Sequence, residues 1–362
     1  MAKRIIVFLV LITFFCSCGR KYEKPRTIRS SDVKDRKNLF KKLDSDNIKI
    51  KPACNNDYLS VLYKLIKEAE RSVDVLQFEL NRDDEVSNIF NELIKAVERG
   101  VEVRILAEDS IEFNKEQISF LLSNGIKAKL DKPYKKIHSK LIIIDDNKAI
   151  IGSTNWSYMS LKYNNETNVF IEGKIVKTYK EYYERLWNRQ MSDDIIKFYT
   201  DRVKPLIEKD YYHHLIEQFK NATREIDVCM YGIKYYEGNT DVYSPDNLLI
   251  GLIAAKQRGV KVRMILEQSD FNDVTNENNR EAEEYLENNG IKVKWETLDT
   301  ITHAKLVIID NEVIVGSTNW GFDALRNRAE TNISVKDEEI LRYFKDYYNK
   351  IYQDSVDNIL IE

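Results

Sequence analysis

A charge excess, a cysteine framework and a histidine–cysteine set of metal-ligand spacing are all missing from this chain of 362 residues. Lysine and arginine number 56 against 59 acids, a formal net charge of −3. No global basic field therefore announces a nucleic-acid partner, although a local groove can be basic on a near-neutral protein. Cysteines number four. Cys16 and Cys18 close the N-terminal segment, and Cys54 and Cys229 lie too far apart to frame a disulfide scaffold. Cys229 falls in the apolar run Ile226-Asp227-Val228-Cys229-Met230 and reads as a buried free thiol. Histidines also number four. His213 and His214 have Glu217 one helical turn on, but no cysteine or third histidine completes a ligand set, so they read as a helix start.

What is present begins with an atypical N-terminus. Ala2-Lys3-Arg4 is a short cationic start, and residues 5–15 are an apolar run too short to cross a bilayer core of ~30 Å as a helix. Residues 1–18 have the pattern of a secretory signal peptide. The closing Phe15-Cys16-Ser17-Cys18-Gly19 resembles a bacterial lipobox, with Cys18 as the residue acylated after cleavage. Residues 20–51 hold twelve Lys/Arg and five acids, and 19–51 reads as a flexible basic linker. Near an anionic membrane such a tether gains roughly 1 kcal/mol per well-placed basic residue. The expected location is outside the cytoplasm, as a membrane- or surface-anchored lipoprotein, with release as a secreted or periplasmic protein the alternative.

The remaining histidines head two stretches that nearly repeat. Residues 137–156 read IHSKLIIIDDNKAIIGSTNW, and residues 302–320 read THAKLVIIDNEVIVGSTNW. The repetition extends further. Arg71-Ser72-Val73-Asp74-Val75 returns as Arg224-Glu225-Ile226-Asp227-Val228, Arg99-Gly100-Val101 as Arg258-Gly259-Val260, and Asn124-Gly125-Ile126-Lys127 as Asn289-Gly290-Ile291-Lys292. A period of about 160 residues suits a duplicated domain and not a solenoid.

Within each half, helical and strand spacing alternate. Residues 58–71, 86–99 and 117–124 have helical apolar spacing, the last two closed by Gly100 and Gly125. Residues 73–78 and 101–107 read as strands, and 141–144 with 149–151 as a strand pair around a turn. Residues 235–247 are an inserted loop of the second half. The expected fold is α/β, with a first half over 52–200 and a second over 201–362. Each half is a mixed, mostly parallel sheet flanked by helices, and the two pack with pseudo-twofold symmetry around one shared site. Tyr182, Tyr183, Trp187, Tyr347 and Tyr348 recur at helical intervals and read as packing between the halves.

Side chains alternate along a strand, so His138 and Lys140 share a face, as do His303 and Lys305. Asp145 and Asp310 fall on the opposite parity near the strand end, which suits buttressing of the turn or a salt bridge. Gly152 and Gly316 mark strand exits open to close backbone approach. Ser153, Asn155, Ser317 and Asn319 place short donors beside the lysines. Two such halves face to face offer paired imidazoles and a donor ring suited to displacement at phosphorus.

The pattern His-x-Lys-x4-Asp-x6-Gly-Ser-x-Asn resembles that of the phospholipase D superfamily, whose members include phospholipases, phospholipid synthases and a small bacterial endonuclease. The second copy has five residues between Asp310 and Gly316, a deletion confined to the hairpin turn. The resemblance spans roughly residues 52–362. It implies phosphodiester cleavage without metal or cofactor through a phosphohistidine, with His138 as nucleophile and His303 as acid/base. Near symmetry leaves the reverse order open. It also implies that Lys140, Lys305, Asn155 and Asn319 hold non-bridging oxygens, and that Glu166 and Glu330 orient histidines. With both half-sites in one chain, a monomer is expected. Three substrate readings follow: a phospholipid hydrolase, a secreted or surface nuclease using Lys132, Lys135 and Lys136 as a phosphate groove, and a non-catalytic surface binding protein.

Overall fold

The repeat folds as two sheets with the same strand order, in a computed structural model that describes residues 40–44, 48–131, 135–190, 195–239 and 241–360. The signal peptide, Cys18 and Lys132 lie outside the described residues. A short strand β1 (Phe40–Lys42) precedes the first half. That half comprises β2 (Lys49–Pro52), α1 (Asn56–Glu68), β3 (Ser72–Gln77), α2 (Asp84–Glu98), β4 (Glu102–Ala107), α3 (Glu112–Ser123), β5 (Lys127–Leu130), β6 (Lys140–Ile144), β7 (Lys148–Gly152), α4 (Tyr158–Lys162), β8 (Asn168–Glu172) and α5 (Val176–Trp187). After β9 (Lys197–Tyr199) the second half repeats the plan. It runs through β10 (Val203–Ile207), α6 (Lys209–Asn221), β11 (Glu225–Met230), α7 (Pro245–Gln257), β12 (Lys261–Leu266), α8 (Asp273–Asn288), β13 (Val293–Trp295), β14 (Lys305–Ile309), β15 (Glu312–Gly316), α9 (Phe322–Arg326), β16 (Thr331–Val335) and α10 (Glu338–Asp354).

The sheet orders are β2-β8-β7-β6-β3-β4-β5 and β10-β16-β15-β14-β11-β12-β13. Each sheet is mixed and flanked by helices, as expected, but it is mostly antiparallel and not mostly parallel, because helical crossovers link only three of its strands in parallel. β3, β4 and β5 pair in parallel. The antiparallel pairings reach beyond the motif hairpin, through β8 to β2. The equivalent strands pair likewise in the second half.

Local chemistry explains the elements. Asp83 caps α2 by accepting from the backbone N–H of Glu85 and Val86, both at 3.0 Å. Val86, Ile89, Phe90, Leu93 and Ala96 then form its buried stripe at helical spacing. Gly100 ends it with φ +89°, where a side chain would be strained. The inserted loop expected over 235–247 stops earlier, because Ser244 caps α7 and Pro245 occupies its first turn.

Three apolar layers result. One packs α1, α2 and α3 on the outer face of the first sheet, with Phe90 and Trp156 at its centre. Another packs α6, α7 and α8 on the second sheet around Phe219 and Trp320. Between the sheets, Leu141, Ile143 and Ile151 meet Leu306, Ile308 and Val315 in a shared core. Tyr182, Tyr183 and Tyr348 complete that core, with Trp187 and Tyr347 packed at its edge.

One boundary needs correction. The basic linker expected over 19–51 does not stay a tether to its end. Phe40–Lys42 pairs in parallel with Lys197–Tyr199, and Lys49–Pro52 adds an edge strand beside β8. Its alternating Lys49-Ile50-Lys51 is a half-buried strand pattern hidden inside a basic composition.

Candidate active site

β6 and β14 both begin at the motif lysine, with the histidine two residues earlier where the chain crosses to the other half. His138 N–H donates to Ala329 O at 3.0 Å, and Ala329 N–H donates to Lys136 O at 2.9 Å. The equivalent segment pairs Asn165 with Thr302. Each histidine strand is thus clasped by the segment that carries the other half's glutamate.

The carboxylates therefore cross over. His138 Nδ1 lies 3.0 Å from Glu330 Oε1, and His303 Nδ1 lies 3.0 Å from Glu166 Oε1. Both glutamates are fully buried. Each also accepts from its own half's motif serine, Ser153 Oγ at 2.5 Å from Glu166 and Ser317 Oγ on Glu330. With Nδ1 engaged, Nε2 is the ring atom left for chemistry.

The lysines are buried too. Lys140 Nζ donates to His138 O and Lys305 Nζ to His303 O, both at 2.6 Å. Asn155 and Asn319 each leave a buried amide oxygen without a partner among the described residues. An amide's two ends exchange by a simple flip, so both asparagines can turn a donor towards a bound oxyanion. Gly152 is indispensable to this corner. A Cβ there would sit 2.1 Å from Asn168 Oδ1, and one on Gly316 would sit 2.1 Å from Asn332 Oδ1.

Burial sets the electrostatics. His138 is pushed well below its usual range by burial and then by Lys140, Arg328, Lys305 and His303. Burial lowers His303 to about 4, with the Glu166 carboxylate opposing the fall. Burial raises Glu166, but His303 and Lys305 outweigh it and hold this carboxylate below the usual range. Glu330 is pushed up to about 7 by burial, against Lys140 and Ser317. Lys140 falls to about 7 through burial, and Lys305 falls well below its usual range for the same first reason. The mutual influence of His138, His303, Lys140 and Lys305 marks one common site.

Asp145 and Asp310 are not part of it. Asp145 accepts from the N–H groups of Glu70, Arg71 and Ser72 at 3.1, 2.7 and 3.0 Å. Asp310 does the same for Thr223, Arg224 and Glu225 at 2.9, 2.8 and 3.1 Å. They buttress the hairpin against the strand beside it. The shorter second turn leaves the pairing intact, Leu306 with Val315 matching Leu141 with Ile151. His214 Nε2 lies 2.5 Å from Glu312 Oε1, and His213 packs edge-on against Tyr243 within α6 and its neighbouring loop.

Two pairs of supporting residues escaped the sequence reading. Phe78 meets the His138 ring edge-on at 5.0 Å and Tyr231 meets His303 at 4.8 Å. The same rings lie under Lys140 and Lys305, at 4.9 and 4.8 Å. Glu108 accepts from Ile137 N–H and Glu267 from Thr302 N–H, both at 2.6 Å. Each pair sits one step past a strand in equivalent repeat positions, which was the available signal. Glu108 forms a cluster with Asp109 and Asp131, their oxygens within 4.8 Å of one another. Asp131 in turn accepts from Asp109 N–H.

Two duplicated sheets joined over one His-Lys-Asn pair define a tandem phosphodiester-type site. The sequence profile described as "Cardiolipin synthase, PLD-like domain" matches residues 62–187 and 215–352. The chain belongs to this family and so to the phospholipase D superfamily, whose enzymes act on phosphodiester bonds. It is 23% identical over 333 residues to cardiolipin synthase B of Escherichia coli K12, covering 81% of this chain and 78% of that one. A mitochondrial cardiolipin hydrolase of Chlamydomonas reinhardtii is 29% identical over 132 residues, covering 36% of this chain and 57% of that one. Among solved structures, phosphatidylserine synthase of Haemophilus influenzae Rd KW20 shares the fold at TM-score 0.66 and 12% identity, covering 86% of this chain and 88% of that one.

Proposed function

We propose that the protein is a phospholipase D-type hydrolase that cleaves the headgroup phosphodiester of membrane phospholipids. The crossed His–Glu pairs carry this reading, because each engages Nδ1 and leaves Nε2 of its imidazole for the reaction at phosphorus. In the proposed reaction His138 attacks phosphorus, the P–O bond to the headgroup breaks, and the leaving oxygen takes its proton from His303. Water, deprotonated by His303, then displaces His138 from the phosphohistidine. The order follows the local charges. Burial leaves both rings neutral at rest, but Glu166 opposes the fall at His303 whereas Lys140 and Arg328 lower His138 further, so His303 is the ring that takes up the proton for the leaving oxygen more readily. Lys140, Lys305, Asn155 and Asn319 hold the non-bridging oxygens. Relatives named as synthases and as a hydrolase make both water and an alcohol worth testing as acceptor.

The N-terminal segment supports a location at a membrane surface, through acylation of Cys18. Labelling with a radioactive fatty acid that is lost in Cys18→Ser would support it. A surface nuclease is the second reading, motivated by Lys135 and Lys136 before His138.

The test is purified protein with a chelator and, separately, phosphatidylcholine, phosphatidylglycerol, cardiolipin, DNA and RNA. Headgroup release that vanishes in His138→Ala and His303→Ala is expected. Cleavage of nucleic acid alone would replace the lipid assignment, and full activity in His303→Ala would end the two-histidine mechanism.

A further inference from the structure

The two halves differ at one position that opens onto the site. Past the end of β3 comes Phe78 and past the end of β11 comes Tyr231, the rings under Lys140 and Lys305. The next residue is Glu79 in the first half and Gly232 in the second. The backbone there is the same in both. Leu80 pairs in parallel with Trp156, and Ile233 with Trp320. Trp156 N–H donates to Glu79 O at 3.2 Å, and Trp320 N–H donates to Gly232 O at 2.9 Å. A Cβ on Gly232 would meet only Asn319 Cγ, at 3.9 Å, among the described residues. A side chain at this position therefore starts beside the motif asparagine with room ahead of it. By the shared register, Glu79 starts beside Asn155.

The Glu79 carboxylate is not committed elsewhere. It is half-buried, and its side chain makes no hydrogen bond or ion pair among the described residues. The charged groups that influence it are already engaged. Lys140 donates to His138 O, Asp83 caps α2, and Glu166 bonds His303. Burial pushes Glu79 up to about 7; Lys140 opposes the rise, and Asp83 and Glu166 add to it. Gly232 places no carboxylate at the matching point, so this acid breaks the symmetry of the site.

We infer that Glu79 selects the headgroup: its carboxylate receives the primary ammonium of a zwitterionic headgroup whose phosphate is held by Lys140 and Asn155. The inference rests on the lipid reading above and deepens it, from a phospholipid to one with a cation two carbons from the scissile phosphodiester. Such a headgroup presents opposite charges side by side, and a lysine with a carboxylate next to it presents the complement. The arriving ammonium also gives a half-buried, unpaired carboxylate its missing partner. The placement suits the proposed order of steps, because Glu79 lies in the field of Glu166, the partner of His303, and His303 protonates the departing headgroup. An anionic headgroup would meet like charge at the same point, which adds discrimination by repulsion.

Calorimetry can compare O-phosphoethanolamine with propyl phosphate, in which a methyl group replaces the ammonium. The wild type should bind the amine about tenfold more tightly, and Glu79→Gln should bind the two nearly equally, with Glu79→Asp in between. Glu79→Gly, which copies the second half, should behave as Glu79→Gln does. In mixed micelles the kcat/KM ratio of phosphatidylethanolamine to phosphatidylglycerol should fall by about tenfold in Glu79→Gln, mainly through KM. Equal wild-type binding of the two probes would overturn the inference, and that comparison does not depend on how the variants fold. An equal loss on both lipids would overturn it too, because Glu79 would then act only as counter-charge to Lys140. If the wild type cleaves no phosphodiester, the hydrolase reading falls while the calorimetry still decides the role of Glu79.

Discussion

At the scale of single residues, the site is made by burial acting on ordinary side chains. His303 is held at about 4 in the fold against about 6.5 unfolded. A depressed pKa means that the fold favours the neutral ring. Its contribution to stability is therefore present above pH 6.5 and is lost as pH falls towards 4. Glu330 works in the opposite sense. Raised to about 7, its contribution is present below about 4.5 and lost as pH rises through 7. Urea unfolding of the wild type should thus lose roughly 3 kcal/mol more than His303→Gln between pH 6.5 and 4. Parallel profiles would show that the ring is not buried as a neutral group. Gly152 gives a second test at this scale. Gly152→Ala drives a methyl into Asn168, which otherwise donates to Thr154 Oγ1 at 2.8 Å just before Asn155. We expect a loss of about 1–3 kcal/mol from overpacking and a fall in kcat of about a hundredfold from the displaced asparagine. Unchanged kcat would mean that Asn155 is placed independently of β8.

At the scale of elements, the repeated strand residues include an ion pair that composition alone would have left on the surface. Asp74 on β3 and Arg104 on β4 face each other in register, with Nε to Oδ1 at 2.6 Å. Glu184 on α5 meets the same guanidinium at 2.6 Å and Lys180 reaches Asp74 at 2.5 Å. Asp227 and Arg263 repeat the pair at 2.7 Å. These contacts pin α5 to the parallel edge of its sheet. Asp74→Ala leaves a guanidinium only 11% exposed without its buried partner and should cost about 3–5 kcal/mol in denaturant unfolding. A cost under about 1 kcal/mol would mean that Glu184 alone satisfies Arg104. Asp74 was visible in the repeat, but its contact with Arg104 required knowing that β3 and β4 pair in parallel.

At the scale of the whole molecule, each half finishes the other's histidine. Glu166 belongs to the first half and bonds His303 of the second, and the converse holds for Glu330 and His138. Tyr179 Oη donates across the same divide to Asn332 O at 2.8 Å, and Tyr347 Oη to Glu166 O at 3.3 Å. A double-mutant cycle on unfolding free energy should therefore give coupling of about 0.5–3 kcal/mol between Glu166 and His303, and little between Glu166 and His138. Stronger coupling within the first half than across the halves would contradict the crossed arrangement.

The sequence by itself determined the duplication, the α/β class, the strand parity that puts His and Lys on one face, and the turn role of Asp145 and Asp310. All of these follow from short-range regularities: period, alternation, and glycine at a positive-φ helix end. Tertiary structure decided which glutamate serves which histidine, that the tail of a basic segment becomes an edge strand, and that Ile137 pairs with Ala329 of the other half. Those facts depend on how two sheets meet across a shared core. Spacing along one chain carries no information about partners 137 or 192 residues away.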